Sequence, residues 1–157
     1  MATYAVGGNQ GTLSSSYKGA LALIAPSSNP RRIKLYEYKL GATGNPNSTD
    51  TYIQFDISRL SQTTSLAGTA FTPNQTDGAD QAALSLANTN QTTEPAAALI
   101  ATSLDNFGVN QRSTVRWVAS QESQNLIGPA TSQNGLYARL LSNAYTGAFA
   151  VQGSFLE

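Results

Sequence analysis

The sequence predicts an all-β protein: a single antiparallel β-sandwich, jelly-roll-like, with long loops and an extended N-terminal arm over residues 1–17. Three observations predict it. Apolar and polar residues alternate at period two in several short segments. Those segments are separated by clusters of Gly, Pro, Asn, Ser and Thr, the residues that build turns. Neither an internal repeat nor a shift in composition divides the 157 residues, so 1–157 read as one domain. A chain of this length hides roughly 70% of the surface its unfolded form exposes, enough for a core without covalent staples.

Taken in order, residues 7–19 are rich in Gly and Ser and read as the arm, leading into the apolar run ALALIA. In RRIKLYEYKL (31–40) the alternation of a strand places Ile33, Leu35 and Glu37 on one face and Lys34, Tyr36 and Tyr38 on the other. The loop GATGNPNSTD (41–50) delivers a second strand, TYIQFDISRL. There Thr51, Ile53, Phe55 and Ile57 alternate with Tyr52, Gln54, Asp56 and Ser58. The two strands read as an antiparallel hairpin with a long tip. Residues 61–110 carry little periodicity and many turn formers, and read as a long ordered loop. Within them EPAAALIATSL (94–104) fits either a short helix after Pro95 or a buried strand. In STVRWVAS, Val115 and Trp117 share a side opposite Arg116 and Val118, which puts the only tryptophan at the core edge. Asn134-Gly135 is a turn signal. The closing stretch YTGAFAVQGSFLE aligns Tyr145, Phe149, Val151 and Phe155, with Gly147 and Gly153 at same-face positions suited to a bulge or a close neighbouring backbone.

Composition excludes most catalytic chemistry. The chain has no cysteine and no histidine, so thiol nucleophiles, disulfides, the commonest general base and the commonest zinc ligand are all missing. Its serines have no histidine to activate them, and Lys18 lacks a GxSxG or SxxK context. Asp77 and Asp80 in TDGAD are the closest carboxylate pair, but the spacing suits a turn built on Asp side chains and falls short of a calcium loop. Gly7-Gly8-Asn9-Gln10-Gly11 lacks the Lys-Ser/Thr ending of a phosphate-binding loop. The expectation is a non-enzyme that takes no cofactor and no metal. Nine basic residues balance nine acidic ones and only 11% of residues are charged, so the electrostatic pull that supplies non-specific nucleic-acid affinity is missing. With no apolar run of membrane length and no basic, apolar leader, a soluble product is expected, with neither nucleic acid nor membrane as partner. The Asn-x-Thr triplets are chance matches in so Asn- and Thr-rich a chain.

Arg31, Arg32 and Lys34, with Lys39 nearby, form the only basic cluster, interleaved with Tyr36 and Tyr38. It reads as a solvated strand face answered by Glu37 and Asp56, or as an interface, since Tyr and Arg are enriched where proteins dock. The arm (Ala2 to Tyr17) and the loop Gly41 to Asp50 are long, polar and free of core pattern, so they are candidates for reaching neighbours. The candidate interface is thus Tyr17, Lys18, Arg31, Arg32, Tyr36, Tyr38, Asn45 and Asn47.

The run YIQFDISRLSQTTSLAGTAFTPNQTDGADQAAL, an alternating strand followed by an Arg, a Gly-Thr turn, a Thr-Pro and an Asp-rich loop, resembles small virion proteins of tailed bacteriophages and cyanophages. NQRSTVRWVASQESQNLIGPATSQNGLYARLLS and the closing aromatic strand resemble the same group, so the likeness spans roughly Tyr17 to Glu157. It implies a β-sandwich on the capsid exterior: a decoration or cement protein, assembled in the host cytoplasm, that binds the major capsid protein and associates with itself, as a homotrimer at threefold positions. The long loop holding Asn47 and the Gln-rich middle segment depart from the pattern. A tail, neck or fibre-associated position is the first alternative. A carbohydrate- or cell-surface-binding module, stacking sugars on Tyr36, Tyr38, Tyr52 and Trp117, is the second.

Overall fold

A computed structural model describes residues 1–61, 66–94 and 99–157. Its strands are β1 (Thr3–Gln10), β2 (Lys18–Ile24), β3 (Ile33–Ala42), β4 (Tyr52–Ser61), β5 (Ala67–Phe71), β6 (Asn74–Gln75), β7 (Leu86–Thr93), β8 (Leu99–Asn110), β9 (Thr114–Val118), β10 (Leu126–Gly128), β11 (Asn134–Leu141) and β12 (Phe149–Leu156). A 3-10 turn at Glu122–Gln124 separates β9 from β10. Every pairing is antiparallel. Sheet A has the order β10-β3-β12-β1-β6, with β9 also on β3, and sheet B has the order β5-β7-β2-β11-β4-β8.

The chain crosses between the sheets in a jelly roll. Its first and last strands, β1 and β12, pair in the middle of sheet A, from Thr3 opposite Leu156 to Gln10 opposite Phe149. The next strands inward along the chain, β2 and β11, pair in the middle of sheet B, and β3 and β4 then flank those central pairs, one in each sheet. Adding β9 beside β3 and β8 beside β4 completes two four-stranded layers, the double-sheet arrangement of a jelly roll. Of the remaining strands, β5, β6 and β7 are an insertion between β4 and β8 that widens both sheets on one side, and β10 pairs with the start of β3.

Alternation explains the core. Phe149, Val151, Gly153 and Phe155 of β12 are buried, as their spacing requires, and so are Ile53, Phe55 and Ile57 of β4. Tyr4 stacks on Phe155 at 5.4 Å between ring centroids. Trp117 packs half-buried against the core and stacks on Tyr38 at 5.2 Å, the core-edge position expected of it. The void between the sheets, lined by Leu21, Leu35, Tyr38 and Ile57 among others, is about 10 Å³. That is room for one water at most, so side chains fill this part of the interior.

Several expectations are corrected. The arm is not an arm over its first ten residues. Tyr4, Val6, Gly8 and Gln10 point inward from a fully paired strand, and Leu13 beyond it is buried as well. Gly8 is required there, since a Cβ would sit 2.4 Å from the Ala20 carbonyl oxygen. β3 and β4 do not form a hairpin. They lie in opposite sheets and meet face to face, Tyr38 against Phe55 at 5.4 Å.

The faces of β3 change midway. Ser154 opposes Glu37 while Phe155 opposes Leu35, so Tyr36 is an extra, bulged residue. The bulge turns Tyr38 into the core and Glu37 outward, the reverse of strict alternation.

Residues 61–110 hold the end of β4 and the whole of β5, β6, β7 and β8 in place of one long loop. Of 94–104, residues 95–98 lie outside the described residues, and from Leu99 onward the chain is strand. Asn134-Gly135 begins β11 and does not form the turn. Gln133, at φ 59°, takes the left-handed position, and Gly135 lets the Leu23 backbone approach.

Candidate functional site

A densely bonded carboxylate lies on the outer face of sheet B. Asp56 alternates out of the core from β4, yet none of its surface is exposed. Its carboxylate accepts from Ser58 Oγ at 2.7 Å, Arg139 Nε at 2.6 Å, Asn106 Nδ2 at 3.2 Å and the Ser103 hydroxyl. Register brings these together. β11 sets Arg139 directly opposite Asp56, and β8 sets Asn106 opposite it on the other side. Burial alone would raise the Asp56 carboxyl, but the four bonds outweigh it and hold the group below the usual carboxylate range. The Arg139 guanidinium lies 4.3 Å over the Tyr17 ring, whose hydroxyl accepts from Asn106 at 3.3 Å. Tyr17 is thereby fixed onto the sheet.

Beside this cluster, Glu94 accepts from the Gly19 N–H and faces the buried Tyr137 hydroxyl. Burial pushes the Glu94 carboxyl up, and burial followed by the Glu94 charge pushes the Tyr137 phenol up. Every acid here is engaged in holding backbone or side chains. The arrangement is a tie between β2, β4, β8 and β11.

The residues expected to form an interface are dispersed. Tyr17 and Lys18 sit at the entry to β2 on sheet B. Arg31 and Arg32 are exposed just before β3, while Asn45 and Asn47 follow its far end, so the length of β3 separates the two pairs. Tyr36 is the half-buried bulge residue. Tyr38 is 1% exposed and donates to Asp105, which removes it from the surface altogether.

The loop holding Asn47 is pinned. Asn47 N–H donates to Gln111 Oε1 at 3.0 Å, its Nδ2 donates to the Ala144 carbonyl at 2.9 Å, and Arg112 bridges Asp50 and the Asn47 carbonyl. The loop is thus held against the sandwich, with Asn45 exposed on it.

The basic cluster is answered locally, though not by Asp56, which lies in the other sheet. Lys34 pairs with Glu122, and Glu37 pairs with both Arg116 at 2.7 Å and Lys39 at 3.3 Å. The Arg116 hydrogen bond is the main cause holding Glu37 below its ordinary range. Among the described residues Arg31 and Arg32 form no ion pair. Asp77 and Asp80 form the expected turn, with the Asp77 carboxylate accepting from Ala79 N–H at 2.9 Å and its carbonyl from Asp80 N–H at 3.1 Å. Of the four aromatic residues offered as sugar platforms, Tyr38 is interior and Trp117 is stacked on it. Tyr36 and Tyr52 are left, on different sheets.

What the sequence did not reveal is the outer face of sheet A. Thr3, Ala5, Gly7 and Asn9 of β1 lie beside Ala150, Gln152 and Ser154 of β12, an uncharged stretch of small and polar side chains across the central strand pair. Two shallow grooves run over it, meeting at Ala150 and Gln152, and the Lys39–Glu37–Arg116 group borders one of them. Its only sequence signal was the Ala-Gly-Gly-Asn composition of the supposed arm. No family model matches the chain, and no curated protein or solved structure matches it.

Proposed function

We propose that this chain is a virion structural protein of a tailed bacteriophage, a decoration protein that binds the outside of the major capsid shell and stabilises it. The observation that carries the reading is the uncharged stretch over β1 and β12 on the outer face of sheet A, set on a packed jelly roll and bordered by charged side chains that pair with one another. Such a face sheds little ordered charge hydration on contact, and its rigidity keeps the ordering cost of binding low. The ties that hold Tyr17, Asn47 and β1 to the sandwich support docking through its surface over docking through a trailing arm. Burial at about 25 cal/mol per Å² of apolar area, repeated over many copies on one shell, adds up through avidity to resist the pressure of packaged DNA. The test is thermal. Particles that lack this chain should release DNA at a lower temperature than complete particles, and adding back the purified protein should restore the higher value. Equal release temperatures would overturn the proposal.

A further inference from the structure

We infer that the free edge of β8 is a self-association site, at which a second copy of this chain adds its own β8 antiparallel and fuses two B sheets across a two-fold axis. Three of the four sheet edges are blunted by shortness. β6 has two residues, β5 has five, and the third edge is divided between β9 and β10, of five and three residues. β8 runs for twelve residues, and among the described residues no strand pairs with its second edge. Such an edge is a template for another strand.

Its last six residues are regular. From Asp105 opposite Ile57 to Asn110 opposite Tyr52 the ladder with β4 has no register shift. Gln111 N–H donates to the Thr51 carbonyl at 3.0 Å. By antiparallel alternation Phe107 and Val109 therefore turn their backbone groups to β4, while Asn106, Gly108 and Asn110 turn theirs away. The stretch contains no Lys, Arg or Pro to repel a partner. Its one charge, Asp105, accepts from the Tyr38 hydroxyl inside the sandwich, so pairing leaves it satisfied.

A second copy fits because the strand complements itself about Gly108. With Gly108 opposite Gly108, an outward-facing pair, Asn106 meets Asn110 and Phe107 meets Val109, so polar faces polar and apolar faces apolar with no like charges opposed. Phe107 is half-buried at this open rim of the core. On the outer face the Tyr52 ring is 66% exposed and lies over Gly108, where a Cβ would sit 3.7 Å from it. Two such rings, one from each copy, would cover the seam. The contact is isologous and yields a dimer, independent of any place on a virion.

Sedimentation of the purified full chain should give twice the 16.5 kDa chain mass. Gly108→Lys puts like charges opposite each other at the axis and should abolish the dimer while leaving the circular dichroism spectrum unchanged. Gly108→Cys should give a disulfide-linked dimer in a chain with no other cysteine, because the paired Cα atoms would lie about 5.5 Å apart. Asn110→Cys, opposite Asn106, should not crosslink. A monomer or trimer for the unmodified chain, a dimer that survives Gly108→Lys, or equal crosslinking of the two cysteine variants would overturn the inference.

Discussion

Asp56 and Arg139 carry the strongest residue-scale consequence. A carboxylate with no exposed surface is tolerated because four donors surround it, and removing it strands Arg139, itself 21% exposed, among them. Asp56→Ala should cost about 3 kcal/mol in denaturant unfolding at neutral pH, toward the lower end for breaking a buried pair because Arg139 keeps some water. The pH sign follows from a folded pKa below the unfolded one. The Asp56 contribution is fully present above the unfolded value of about 3.9 and is lost as pH falls through the folded value. The difference between the two proteins should therefore shrink only in acid below about pH 4. At this scale the sequence was partly legible. The outward direction of Asp56 followed from alternation, but its burial depends on Arg139, Asn106 and Ser103 arriving from distant strands. Glu37 and Tyr38 were assigned to the wrong faces because one bulged residue, Tyr36, leaves no mark in an alternating string.

Among the elements, β1 changes the expectation most. A deletion of residues 2–10 read as loss of an arm should spare the fold. As loss of a central strand it removes one of the two strands paired with β12 along its whole length, and the tyrosine stacked on Phe155. The deletion should abolish cooperative unfolding by circular dichroism, and a retained sharp transition would contradict the assignment. β1 escaped notice because its inward positions include Gly8 and Gln10, which carry no apolar signal, and Gln10 is satisfied by donating to the Gln91 carbonyl at 3.1 Å. The polar strand β7 escaped for the same reason. It is held by backbone pairing to β2 and by the Thr89 hydroxyl, which accepts from Asn9 N–H at 2.7 Å and donates to the Ala20 carbonyl at 2.9 Å. Strands rich in large apolar residues, β4 and β12, were legible almost residue by residue, since each buries one face against the other sheet.

For the whole molecule, the class of fold was readable from alternation and turn chemistry, while pairing was not. β3 and β4 are joined by a single loop yet meet only across the core, because the jelly roll sends them to opposite sheets. Such a scaffold presents broad, stiff faces, and here an uncharged one lies over β1 and β12. The proposed role rests on that face and on the paired charges beside it. Quantitative mass spectrometry of purified particles tests it most directly, through the ratio of this chain to the major capsid protein. A ratio near that of the shell subunits is the predicted result, and absence from intact particles, or a handful of copies on each, would contradict a place on the shell.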